Sequence, residues 1–98
     1  MRHVRFDVAT LAVEQVPVPL KAAYLLVAEQ EGAPELQWEC VAYGLHDAPI
    51  AEGRYLVEIV ALDGRELSGP AVLVRSVQGA HVLRGDGPLM GVGAEDLR

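Results

Sequence analysis

The sequence predicts an all-β domain: a small antiparallel barrel or sandwich of six to seven strands. Three features point that way. Apolar and polar residues alternate with a period of two over Val4–Val8 and again over Leu36–Ala42, the pattern of strands with one face against a core. Short corners containing Gly32, Gly64 and Gly79 separate the apolar runs, as hairpins require. Residues 54–62 concentrate Tyr, Val and Ile, which pack well on a pleated surface.

In chain order, Val4, Phe6 and Val8 fall on one side of the first strand, with His3, Arg5 and Asp7 on the other. From Thr10 the apolar phase moves to Leu11 and Val13. That shift places a β-bulge near Ala9-Thr10 or divides the segment into two short strands. Val16-Pro17-Val18-Pro19 keeps an extended backbone and lacks two N–H donors, so it reads as a connector or an exposed edge. Residues 20–31 carry two readings. Lys21–Glu29 holds good helix formers between Pro19 and Gly32, the punctuation of one short helix. The preferred reading is a hairpin pairing Tyr24–Gln30 with Glu35–Tyr43, because the second run alternates and the lengths match.

Gly44–Gly53 has no period and is read as a loop. Arg54–Leu62, Arg65–Ser76 and Ala80–Arg84 then make a three-stranded meander. Asp63-Gly64 at its first corner suits a type I′ turn, in which both central residues take positive φ. Pro70 cannot donate to a ladder and is expected at an edge or bulge. In the glycine-rich stretch 85–93, Leu89–Val92 adds a short closing strand. Residues 1–93 form one domain, and 94–98 are expected to fray. The expected core is Val4, Phe6, Val8, Leu25, Val27, Leu36, Trp38, Cys40, Tyr55, Val57, Ile59, Val72, Val74 and Val82.

Composition narrows the function classes. An apolar fraction of 51% in 98 residues excludes a disordered chain, and no apolar run approaches the roughly 18 residues of a membrane span. Eight basic residues against 14 acidic ones, net −6, disfavour nucleic acid and anionic membranes, which are bound through Lys and Arg. A single cysteine, Cys40, excludes a disulfide framework and a multi-cysteine zinc site. The preference for Arg over Lys fits a GC-rich bacterial genome. The first residues lack the apolar stretch of a secretory signal, so a cytoplasmic location is expected. No cofactor is expected.

Each candidate site has a plainer reading beside it. His3, His46 and His81 follow no ligand spacing, so no metal site is expected, and His3 and His81 are placed on polar strand faces. Cys40 shares a face with Leu36, Trp38 and Ala42 and reads as a small buried hydrophobe. His46 and Asp47 are loop candidates for a base beside its orienting carboxylate; an exposed His next to a turn-forming Asp is the plainer account. Gly85–Gly91 superficially looks like a phosphate loop, but no helix and no Lys follow it. Arg65, Arg75 and Arg84, with His81, form a candidate anion-binding cluster on the meander, against cross-strand pairing with nearby acids.

Both faces of Tyr55–Leu62 are apolar apart from Glu58, which makes that strand either central or part of a subunit contact. The leading expectation is therefore a non-catalytic interaction or structural module that self-associates or binds a protein partner. One alternative is a small barrel binding an anionic ligand. The other is a small enzyme whose site is completed at a subunit interface by His46, Asp47 or His81.

Overall fold

The computed structural model describes residues 2–98. Its strands are β1 (His3–Val13), β2 (Val16–Val18), β3 (Leu20–Ala28), β4 (Gln37–Gly44), β5 (Gly53–Ala61), β6 (Glu66–Val77) and β7 (Ala80–Gly85). All pairings are antiparallel. They run β1-β3-β4-β7-β6-β5 and return to β1. Of the two architectures the sequence allows, the chain adopts the closed barrel, with six strands and β2 as a short seventh against β1.

Closure depends on β1. Its first half, His3–Asp7, pairs with β3, and its second half pairs with β5, with a register shift between Val8 and Thr10. This is the bulge that the apolar phase slip marks, and it bends one strand far enough to serve two neighbours. Leu11–Val13 carry β2 on the side away from β5.

The helix alternative over 20–31 is overturned. Leu20–Ala28 is a strand with ladders to both β1 and β4, and Ala23, Leu25 and Val27 are buried in alternation. Two ladders and a period-two core face outweigh the modest helix propensity of Ala, Leu and Lys. The meander forms as expected, but its first corner is different. Gly64 takes φ 92° while Asp63 does not take a positive φ. The Gly64 N–H donates to the Ala61 carbonyl at 2.9 Å, and the Ala61 N–H to that of Arg65 at 2.9 Å. This is a three-residue corner with glycine at its left-handed position, not a type I′ turn. The Gln78-Gly79 corner does have two positive φ values, 51° and 83°.

The core holds Phe6, Val8, Leu11, Leu25, Val27, Trp38, Cys40, Val57, Ile59, Leu67, Ala71, Leu73 and Leu83, among others. The expected facing of β6 and β7 is inverted. Ala71 and Leu73 point inward, and Val74 is 40% exposed. In β7 the inward residues are His81 and Leu83, while Val82 is only partly buried. Both faces of these strands carry apolar side chains, so apolar alternation alone does not decide which face turns inward.

The final residues, expected to fray, are docked. A 3₁₀ turn spans Ala94–Asp96, Leu97 is buried, and Arg98 exchanges two backbone hydrogen bonds with His3. Leu89 is buried too, although 89–92 contributes only a single bridge, Ser68 to Met90, in place of a strand. The tail therefore covers the barrel end where β1 begins. Among the described residues no helix is long and apolar enough to cross a membrane.

Candidate functional site

The opposite end of the barrel, where β1, β4 and β6 finish and β5 and β7 begin, holds a cavity of about 410 Å³. Val13, Val18, Pro49, Ile50 and Tyr55 are among the side chains that make its wall predominantly apolar. Four stretches of chain contribute: Val13–Pro19 from the end of β1 through β2, the end of β4 with the loop that follows it, Tyr55 near the start of β5, and His81 at the start of β7.

That loop, Leu45–Glu52, is held in place. The Leu45 N–H donates to the Pro19 carbonyl at 2.9 Å. The Ile50 N–H donates to Ser76 Oγ at 2.9 Å, and the Tyr55 hydroxyl donates to the Ala51 carbonyl. Across the cavity, Glu14 lies at a corner where it and Gln15 both take positive φ, 50° and 67°. Its carboxylate accepts the Leu56 N–H at 3.1 Å. The wall is therefore built before any ligand arrives.

His81 is the polar centre of this site. It is 2% exposed, the buried polar residue in an otherwise apolar core. Its Nδ1 lies 2.8 Å from Ser76 Oγ. The Ser76 oxygen accepts the Ile50 N–H and its hydroxyl has no other acceptor among the described residues, so it is assigned as the donor to Nδ1, which leaves the Nε2–H without a protein partner. The imidazole is then neutral, with its proton on Nε2. Burial lowers the His81 pKa from the ordinary histidine value, which also keeps the ring uncharged near neutral pH.

Nε2 makes no hydrogen bond with the described residues, and no buried side-chain nitrogen or oxygen among them lacks a partner. Nε2 therefore meets the cavity space. Gly44 makes room beside it: a β-carbon at that position would sit 3.5 Å from Nε2.

Most of the other expected site residues lie apart from this constellation. His46 lines the cavity, whereas Asp47 is in the same loop outside the lining. Arg65 is at the far end of the barrel, 2.9 Å from the Asp96 carboxylate and stacked 5.1 Å over the Phe6 ring. Arg75 and Arg84 are exposed on the outside of β6 and β7, and Arg84 faces Glu39 at 3.9 Å. His81 thus lies inside the barrel while the three arginines lie elsewhere. Cys40 is fully buried, and desolvation pushes its thiol up to about 12, so it has no thiolate to offer as a nucleophile. Among the described residues no group of three His, Cys, Asp or Glu side chains is placed to hold a metal ion.

Reasoning from sequence missed Ser76, Gly44, Tyr55 and Ile50, and placed His81 on the wrong face. One signal was available. Arg84 must face water, and strand parity then turns His81 and Leu83 inward. No comparable signal marks the rest, which meet only through the tertiary fold. Comparison with family models, with curated proteins and with solved structures finds no match to this chain.

Proposed function

We propose that this protein is a non-catalytic binding barrel that holds one small, mainly apolar molecule in the cavity at its open end. The observation that carries the reading is a preformed apolar recess of about 410 Å³, within the size of small-molecule sites and at a barrel mouth, where such sites recur. Ser76 Oγ lies 2.8 Å from His81 Nδ1 but is not among the cavity-lining residues, so this hydroxyl–imidazole pair does not present its oxygen to the cavity, which favours binding over turnover. The Glu14 carboxylate in a mainly apolar lining and the dispersed arginines favour an uncharged ligand over an anion.

The test is fluorescence of N-phenylnaphthylamine, a neutral probe that brightens on leaving water. Micromolar binding at one site per chain is expected, abolished by Val16→Trp. Val16 lines the cavity and is 64% exposed, so the larger side chain fills the mouth without entering the core. Absence of saturable binding, or binding unchanged by Val16→Trp, refutes the reading.

Self-association is a second reading with its own observation. On and beside the outer face of β5, Leu56 is 50% and Leu62 71% exposed, and apolar surface of this kind favours association. Light scattering at micromolar concentration tests it: a dimer or larger is expected, and a strict monomer ends it.

A further inference from the structure

Resting on the reading of the mouth cavity as a ligand site, we propose that the ligand is an uncharged, largely apolar molecule carrying one carbonyl-type oxygen, which accepts a hydrogen bond from His81 Nε2. The inference begins with satisfaction of polar groups. A side chain that is 2% exposed is expected to have all its hydrogen-bonding atoms matched. Nδ1 is matched by Ser76, while Nε2 has no protein partner among the described residues and opens on the cavity. Because the Ser76 hydroxyl has no acceptor other than Nδ1 among the described residues, its donation to Nδ1 favours the tautomer with the proton on Nε2, leaving Nε2 as a donor. Bonds in such a chain polarise one another, which strengthens the terminal N–H.

A neutral donor in an apolar recess selects an acceptor without charge. A carboxylate would lose its hydration and gain one neutral N–H, a poor exchange. A hydrocarbon would leave Nε2 without any partner once water is displaced. A ketone, ester or ether oxygen meets the N–H and gives up little on leaving water. Gly44 supplies the space. A β-carbon there would take up room 3.5 Å from Nε2, where the ligand's polar end must approach.

The experiment compares acetylnaphthalene with ethylnaphthalene, which has nearly the same shape and no oxygen, and with naphthoate. Each is titrated against bound N-phenylnaphthylamine on the wild-type chain, His81→Phe and Gly44→Ala. The expected wild-type preference for the ketone over the ethyl compound is about 2- to 12-fold, the net worth of one hydrogen bond. Naphthoate binds least. In His81→Phe the preference falls to about 1 while the ethyl compound still binds.

Gly44→Ala is expected to fold, since the added carbon meets only ordinary contacts at 3.5 Å. It too loses the preference, and it carries the test if His81→Phe fails to fold. Equal wild-type affinities for ketone and ethyl compound, a preference that survives both variants, or tightest binding of naphthoate would each overturn the proposal while leaving the cavity reading intact. Failure of all three compounds and of the probe would overturn both.

Discussion

Replacing Gly85 with alanine should damage this barrel more than the size of a methyl group suggests. A β-carbon on Gly85 would lie 2.5 Å from Cδ1 and 2.5 Å from Cε2 of Trp38, with Nε1 closer still. Gly85 is not in the left-handed region, so the penalty is steric. The ring cannot simply swing aside. Trp38 is 4% exposed, and its Nε1–H donates to the Gly87 carbonyl at 2.8 Å. Overpacking costs about 1–3 kcal/mol, and an orphaned indole N–H about 1–3 kcal/mol more. The sum, about 2–6 kcal/mol, is a large share of the roughly 5–15 kcal/mol that holds such a domain together. At about 4–8 °C per kcal/mol for this chain length, Tm should fall by roughly 10 °C or more. Thermal melts followed by circular dichroism measure it. The same substitution made alongside Trp38→Phe removes the clashing ring system and should cost less than about 1 kcal/mol, a coupling that a double-mutant cycle isolates. A loss under about 0.5 kcal/mol in the wild-type background, or equal losses in both, would refute the packing argument.

Three further outcomes follow from the same structure. Burial lowers the His81 pKa below its ordinary value of 6.5, so between the folded and unfolded values the unfolded chain binds the extra proton. The His81 contribution is therefore complete above about pH 6.5 and is lost as pH falls from there toward the folded value. Tm measured from about pH 5 to 8 should drop on the acid side more steeply in the wild type than in His81→Phe, and parallel curves would contradict the assignment; Glu14, His46 and Tyr55, which line the same cavity, are present in both chains. The Cys40 thiol, buried with its pKa at about 12, should resist a disulfide reagent at pH 8 until denaturant is added, and prompt labelling of the folded chain would contradict its placement. Gln78 sits at φ 51°, where a residue with a side chain is disfavoured by about 1–2 kcal/mol. Set against about 0.5–1 kcal/mol of extra chain entropy for glycine, Gln78→Gly should stabilise by about 0.5–1 kcal/mol in urea denaturation, and a loss would show the corner to be different.

The parts of the fold legible in the sequence are those where one face of a strand is clearly polar. In β4, Trp38, Cys40 and Ala42 alternate with Gln37, Glu39 and the half-buried Val41, and the inward set is right. In β1 the slip from Val8 to Leu11 marks the bulge that closes the barrel. Where both faces are apolar the period remains but the phase is lost. Ala71-Val72-Leu73-Val74 can be turned either way, and the barrel takes the small Ala71 and the long Leu73 inside, leaving the two valines toward solvent. The same ambiguity in β7 hid His81. The cavity was not legible because it is assembled from residues as distant as Val13, Gly44 and His81. The docked tail escaped notice because Leu97, its one anchor into the core, sits among polar residues with no period.

Nitrogen-15 NMR of the histidine side chains observes the central claim directly, with the His81 signals assigned by their loss in His81→Phe. At pH 7 the His81 ring should be neutral, with its proton on Nε2 and Nδ1 acting as acceptor from Ser76, and the Nε2 signals should move on titration with acetylnaphthalene. An Nδ1-protonated ring, an imidazolium, or an Nε2 indifferent to the ketone would contradict a barrel mouth built around one neutral hydrogen-bond donor.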